Sequence, residues 1–185
     1  MKNKHDLLFI HIPKTGGTSV KTVLLAEKCL YTRPWKHRHE SATQMKHLFG
    51  TQKFDALSKF TIVRNPYDRL VSYYYRNREE RKAHPTLVLT FREYVKWACS
   101  HPKGRSIAPQ AEQVLIDGVL AIDRLLRFES LVDDWKNLAE EYGLPAELPH
   151  INASTLRPPF EECFDGMLSK LVLEAYKEDF SLFGY

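Results

Sequence analysis

The sequence has few cysteines, no long apolar run and little excess charge of either sign. Its three cysteines, Cys29, Cys99 and Cys163, are odd in number and too scattered for a disulfide framework or a cysteine-based metal site. We therefore expect reduced thiols in a cytoplasmic protein. No segment approaches the roughly 18 consecutive apolar residues of a membrane-spanning helix. Only a short apolar stretch follows the polar N-terminus, so we expect neither a membrane span nor a secretory signal.

Charge is nearly balanced as well. Lys and Arg total 27, Asp and Glu total 23, and the formal net charge is +4. This excess suits an anionic ligand but is too small to indicate a nucleic-acid partner. The 185 residues are 43% hydrophobic and 27% charged, which is typical of a globular chain, and we expect a single domain over residues 1–185.

Short apolar segments alternate with helical stripes along the chain. The apolar runs Leu7–Ile12 and Phe60–Val63 are typical of buried strands, and strand-like segments recur at Leu120–Ile122 and Leu125–Phe128. The spacing of apolar residues predicts helices over 20–30, 41–48, 66–76, 91–99, 131–142 and 168–176. This alternation predicts an α/β fold with a parallel sheet and helices on both faces.

The segment after the first predicted strand carries the most informative pattern. Residues 11–19 read His-Ile-Pro-Lys-Thr-Gly-Gly-Thr-Ser and lead through a glycine turn into a helix. A helix N-terminus binds anions because its first N–H groups are unpaired and the helix dipole is positive there. The two glycines are expected to let the backbone approach a ligand. Lys14 adds a cation, and Thr18 or Ser19 is expected to cap the helix.

This loop differs from the G-x-x-x-x-G-K-[ST] loop of nucleoside triphosphatases. Its lysine precedes the glycines, and the strand Phe60–Val63 runs into Arg64 rather than into an acidic residue that could hold Mg²⁺. A P-loop small-molecule kinase is therefore the weaker alternative. We expect protein cations, rather than a metal, to meet the charge of the phosphate.

A second anion-binding pattern follows the second predicted strand. Residues 64–74 read Arg-Asn-Pro-Tyr-Asp-Arg-Leu-Val-Ser-Tyr-Tyr. Arg64 leaves the strand at the end where open α/β sheets bind ligands, and its guanidinium can hold a phosphate through two parallel hydrogen bonds. Ser72 lies two turns into the next helix. Two roles stay open for Arg69, a phosphate contact or a structural ion pair, and Asp68 suits the helix dipole.

Residues 14–19 resemble the 5′-phosphosulfate loop of sulfotransferases that use 3′-phosphoadenosine 5′-phosphosulfate (PAPS), especially the carbohydrate and heparan-sulfate enzymes and their bacterial relatives. Residues 64–74 fit the second motif of that family, and 126–131, 149–154 and 176–185 resemble its later elements. The resemblance implies a P-loop-like three-layer fold with a central parallel sheet flanked by helices. It also implies sulfuryl transfer to an acceptor hydroxyl, expected on a carbohydrate, with adenosine 3′,5′-bisphosphate (PAP) as product and no required metal.

The resemblance assigns roles to individual residues. The implied cofactor-binding residues are Lys14, Thr15, Gly16, Gly17, Thr18, Ser19, Arg64, Ser72 and Ser154. Of these, Arg64 and Ser72 would bind the 3′-phosphate, and Lys14 would stabilise the bridging and leaving oxygens. The general base is expected just before the short helix that precedes the second strand, where His39 fits best and His37 stays open. A non-catalytic module that binds PAP also stays open.

Overall fold

Strands and helices alternate in the computed structural model, which describes residues 2–29, 39–79, 88–100, 107–149 and 157–185. Within these ranges the strands are β1 Leu7–Ile10, β2 Ser58–Val63, β3 Leu115–Ile116, β4 Val119–Leu120 and β5 Arg124–Arg127. The α-helices are α1 Gly17–Ala26, α2 Ala42–Phe49, α3 Thr51–Ala56, α4 Pro66–Glu79, α5 Phe91–Ser100, α6 Gln110–Val114, α7 Leu131–Tyr142, α8 Gly166–Ala175 and α9 Lys177–Phe183. The predicted α/β class is confirmed.

The chain divides into two compact units. The first consists of Met1–Val63 and Glu112–Asn152, and the second of Arg64–Ala111 and Ala153–Tyr185. The first unit holds the described strands together with α1, α2, α3 and α7, and the second holds α4, α5, α8 and α9. The chain returns from the second unit to the first within α6.

A parallel sheet with the strand order β1-β2-β5 organises the first unit. Phe9 of β1 pairs with Phe60 of β2, and Ile62 of β2 pairs with Leu126 of β5. Every residue of β1 is buried, as expected for a strand of a covered parallel sheet. The rings of Phe9 and Phe60 stack with centroids 4.8 Å apart, and Trp135 of α7 packs beside Phe60. The predicted central parallel sheet flanked by helices is therefore confirmed.

One predicted strand is placed differently in the structure. The strand-like segment Leu120–Ile122 contributes only its first residue, because β3 and β4 form a short antiparallel hairpin in which Ile116 pairs with Val119. Asp117 and Gly118, which form the turn, have φ of 51° and 77°. Positive φ at both central residues is what a type I′ hairpin turn requires and what Asp-Gly favours. The turn, rather than the apolar run, determines where the strand lies.

Helix packing builds the core of the second unit. Buried side chains of α4, α5 and α8 form one cluster that includes Tyr74, Tyr94 and Val172. The apolar stripe of α4 is thereby confirmed at Tyr74, whose hydroxyl donates to the carbonyl of Leu89 at 2.9 Å. None of the helices in the described ranges combines the length and apolar character needed to cross a lipid bilayer.

Candidate active site

The loop between β1 and α1 forms a tight turn held from inside. Lys14 and Gly16 have φ of 69° and 81°, so two of its residues adopt the left-handed conformation. The hydroxyl of Thr15 donates to the carbonyl of Ile12 at 2.9 Å, and the Thr15 side chain is fully buried. Any contact of Thr15 with a ligand would therefore come from its backbone N–H, because its side chain is engaged in the turn.

The N-terminus of α1 has no side-chain cap, which makes the predicted capping by Thr18 or Ser19 wrong. The helix begins at Gly17 with Gly16 as its N-cap residue. Because the left-handed turn at Gly16 starts the helix early, Thr18 and Ser19 lie in the first turn, where Thr18 is exposed. An uncapped helix N-terminus with two hydroxyls in its first turn is suited to bind an anion.

The two glycines of the loop have a packing role in addition to the expected approach of a ligand. A Cβ at Gly16 would lie 2.9 Å from Cδ2 of Leu131 and 3.0 Å from Cδ2 of Phe128. A Cβ at Gly17 would lie 2.5 Å from Nε2 of His11. Carbon atoms normally approach to about 3.5 Å or more, so a side chain at either glycine would displace its neighbours.

A capping box fixes the chain just before α2, where the base is predicted. The hydroxyl of Ser41 accepts from the backbone N–H of Gln44 at 3.3 Å, and the side-chain oxygen of Gln44 accepts from the N–H of Ser41 at 2.9 Å. This reciprocal pair satisfies two N–H groups at the start of the helix. It holds the segment that carries His39, two residues upstream of Ser41.

His39 packs against His11 at the end of β1. Its Nδ1 lies 3.1 Å from the carbonyl oxygen of His11. Because a carbonyl oxygen can only accept, Nδ1 carries the proton in this hydrogen bond, and in the neutral form of the ring the lone pair is on Nε2. The two imidazole rings lie with centroids 4.5 Å apart, and the His11 ring in turn adjoins Gly17. The structure thus brings His39 close to the beginning of α1.

Arg64, in the second unit, is buried and paired with Asp68. Its Nε donates to Oδ2 of Asp68 at 2.7 Å, and one terminal nitrogen lies 2.6 Å from the same oxygen. Arg157 donates to the other oxygen of Asp68. One carboxylate therefore holds two guanidinium groups close together. Ser72 lies farther along α4 and is also buried.

The backbone of Arg64 is held by Gln110, a residue that the sequence does not link to it. Oε1 of Gln110 accepts from the N–H of Arg64 at 2.9 Å, and its Nε2 donates to the Arg64 carbonyl at 2.8 Å. The carboxylate of Asp179 accepts in turn from the backbone N–H of Gln110 at 2.9 Å. Gln110 and Asp179 are both fully buried.

Arg69 makes a buried contact with the main chain of its own unit. Its guanidinium donates to the carbonyl of Ala108 at 2.8 Å and is 3% exposed. Burial raises the pKa of Asp179 above its ordinary value, and the positive charge of Arg69 opposes that rise. Arg69 therefore helps to stabilise the buried carboxylate of Asp179.

A comparison with known protein families identifies the family of this chain. The model of the sulfotransferase family matches residues 1–185. The chain belongs to the sulfotransferase family. It is a PAPS-dependent sulfotransferase, an enzyme that transfers sulfuryl groups. A comparison with curated proteins finds no match.

The sulfotransferase distributes the predicted site residues over its two units. The loop 14–19 and His39 lie in the first unit, and Arg64 and Ser72 lie in the second. Ser154 and His37 fall outside the described residues. These placements describe positions only, and the roles assigned to the residues stay predictions.

Sequence reasoning missed the residues that hold Arg64. The spacing of Arg64 and Asp68, four residues apart at the start of a predicted helix, is a signal that could have indicated their ion pair. Arg157 and Asp179 lie 89 and 69 residues from their partners Asp68 and Gln110, and no local pattern connects them.

Proposed function

We propose that this sulfotransferase moves the sulfuryl group of PAPS to a carbohydrate hydroxyl, with His39 as the general base. The observation that carries this proposal is the hydrogen bond from Nδ1 of His39 to the carbonyl of His11. It directs the basic Nε2 away from that carbonyl, as a base that accepts a proton from an acceptor hydroxyl needs.

The loop 14–19 is proposed to bind the 5′-phosphosulfate. Its fit to that group rests on the uncapped N-terminus of α1, with the two hydroxyls of Thr18 and Ser19 in the first turn. Lys14 is half-buried and lies three residues before the helix. We propose that its ammonium group stabilises the charge that develops on the bridging and leaving oxygens.

The 3′-phosphate is proposed to bind Arg64 and Ser72, with Ser154 also contacting the cofactor. The fit at Arg64 rests on its burial, because a guanidinium shielded from water binds a phosphate more strongly than an exposed one. The proposed reaction needs no metal, since protein cations supply the positive charge at each phosphate.

In the proposed mechanism PAPS supplies an activated sulfuryl group, and the protein's own residues position and deprotonate the acceptor. Nε2 of His39 takes the proton of the acceptor hydroxyl as its oxygen forms a bond to sulfur. The bond from sulfur to the bridging oxygen breaks, and Lys14 stabilises the negative charge left on the phosphate.

Two wider proposals, on the domain and on the location, accompany this one, and the carbohydrate acceptor has support of its own. A single sulfotransferase domain over residues 1–185 is supported by the family match, which extends across both units. The carbohydrate acceptor rests on the resemblance of the two motifs to carbohydrate sulfotransferases. The cytoplasmic location rests on the three scattered cysteines.

The base is tested with variants that separate its hydrogen bond from its basicity. His39→Asn keeps an amide N–H that can donate to the His11 carbonyl but has no basic nitrogen. We expect His39→Asn and His39→Ala to lower turnover by roughly 10²–10⁴-fold, while PAP still binds in calorimetric titration. His37→Ala is the comparison variant and is expected to keep its turnover. Loss of turnover in His37→Ala with wild-type rates in His39→Asn would move the base to His37.

An acceptor screen and nucleotide-binding measurements test the proposed function itself. An acceptor screen with labelled PAPS over mono- and oligosaccharides is read by mass spectrometry as the gain of one SO₃ group. Binding of PAP without transfer to any acceptor would favour a non-catalytic nucleotide-binding module. Binding of ATP that depends on Mg²⁺ would favour a kinase.

A further inference from the structure

Gln110 makes a reciprocal pair of hydrogen bonds with the main chain of Arg64. The amide accepts from the N–H of Arg64 at 2.9 Å and donates to its carbonyl at 2.8 Å. These two bonds fix the peptide groups on both sides of the Arg64 Cα. Since the guanidinium is bound by Asp68, Arg64 is fixed at its main chain and at the end of its side chain.

Asp179 determines which way the Gln110 amide points. Its Oδ2 lies 3.2 Å from Nε2 of Gln110 and accepts from the Gln110 backbone N–H at 2.9 Å. Oδ1 accepts from the N–H of Ala111 at 2.8 Å. A carboxylate can only accept, so the amide nitrogen of Gln110 must face it. The amide oxygen is then left to accept from Arg64.

Gln110 and Asp179 expose no surface at all, whereas Arg64 retains 3%, so any effect of these two residues on a ligand is indirect. A fully buried amide and a fully buried carboxylate act on a ligand through the groups that they hold. Here the group is the main chain of Arg64, and the orientation of an arginine side chain follows from the backbone that carries it. Small displacements of a guanidinium weaken a two-bond contact with a phosphate, because both bonds need a defined geometry.

We infer that Gln110 and Asp179 are positioning residues that set the preference of this enzyme for nucleotides with a 3′-phosphate. The inference rests on the proposed role of Arg64 as a ligand of that phosphate. The preference for a 3′-phosphate is measured as the ratio of the Kd for adenosine 5′-monophosphate to the Kd for PAP, because these nucleotides differ only in the 3′-phosphate.

The test measures this ratio by calorimetric titration of the full chain. Gln110→Glu keeps the shape of the side chain but turns a carboxylate oxygen towards the Arg64 carbonyl and Asp179, which are both acceptors. We expect the ratio to fall about tenfold, the scale of one lost hydrogen bond to a charged group. The Kd for adenosine 5′-monophosphate should stay within about twofold, since that nucleotide lacks the group that Arg64 holds.

Arg64→Met separates a failure of this inference from a failure of the proposed function. If Arg64→Met leaves the ratio unchanged, the proposed role of Arg64 is wrong. If Arg64→Met lowers the ratio but Gln110→Glu does not, the positioning role is wrong. In the double variant we expect no drop beyond that of Arg64→Met alone, because Gln110 acts through Arg64.

Two further variants distinguish a specific effect on Arg64 from a general destabilisation of the protein. Asp179→Asn is expected to lower the ratio in the same direction, and it decides the test if Gln110→Glu does not fold. Tyr74→Phe removes another hydrogen bond of the same unit, the part-buried one to the carbonyl of Leu89, and should leave the ratio unchanged. Equal weakening of both nucleotides by Gln110→Glu, or the same fall in ratio in Tyr74→Phe, would overturn the inference.

Discussion

Substitution of Gly17 by Ala places a methyl group where the ring of His11 lies. The added Cβ would be 2.5 Å from Nε2 of His11 and 2.9 Å from Cζ of Phe9. Both neighbours are rigid rings, and His11 is 8% exposed while Phe9 is fully buried, so neither can turn into solvent. The His11 ring or the first turn of α1 must therefore move.

The expected cost follows from these contacts. Overpacking of a well-packed site costs about 1–3 kcal/mol, and the higher helix propensity of Ala returns up to about 1 kcal/mol. With an overpacking cost near the middle of that range, about 2 kcal/mol, and a return of up to about 1 kcal/mol, the net loss in the free energy of unfolding is about 1–2 kcal/mol. For a chain of this size each kcal/mol corresponds to about 2–4 °C in Tm. We expect Gly17→Ala to lower Tm by about 2–8 °C in scanning calorimetry.

Gly166→Ala is a matched control. Gly166 is the first residue of α8 just as Gly17 is the first residue of α1, and both helices contain 10 residues. A Cβ at Gly166 would meet nothing within 4 Å. This variant should be as stable as the wild type or more stable by up to about 1 kcal/mol. Equal Tm values for the two variants would refute the close contact of Gly17 with His11.

Two further predictions concern single side chains. Thr15→Val leaves the Ile12 carbonyl without its buried donor and should cost about 1–2 kcal/mol in urea unfolding. Thr22→Val, which removes an exposed hydroxyl bond of 3.0 Å, should cost almost nothing, and equal losses would contradict the turn described for Thr15. Burial raises the pKa of the Cys99 thiol from 9.0 to about 11. Its thiolate fraction at neutral pH is then about 100-fold lower than normal, so alkylation of its peptide, followed by mass spectrometry, should keep rising above pH 10. A plateau near pH 10, where an ordinary thiol is almost fully ionised, would contradict the raised pKa.

The sequence predicts those features that depend on neighbouring residues. The helix over 41–48 and the buried strand before Arg64 both follow from patterns a few residues long. The loop 14–19 is also local, although its capping was predicted wrongly because a left-handed Gly16 starts the helix earlier than a hydroxyl cap would. These parts of the fold and site needed no knowledge of tertiary contacts.

Contacts between distant residues could not be predicted in this way. The donor to Asp179 lies 69 residues away, and the hydrogen bond of His39 reaches a carbonyl 28 residues earlier. Gln110 carries no charge or periodicity that indicates its partner. Its role follows only from the geometry around Arg64, where one amide supplies the acceptor for the N–H and the donor for the carbonyl of that residue.

The explanation for Asp68 changes once its contacts with distant residues are known. Its place in the first turn of α4 suits the helix dipole, and that explanation needs no partner. However, a guanidinium that is 3% exposed is costly without an opposite charge, and removing one member of a buried pair typically costs about 3–5 kcal/mol. Asp68 supplies this charge to Arg64 within the protein. Arg64 is therefore already oriented within the protein, and the phosphate binding that we propose for it need not include the entropy loss of ordering a long side chain.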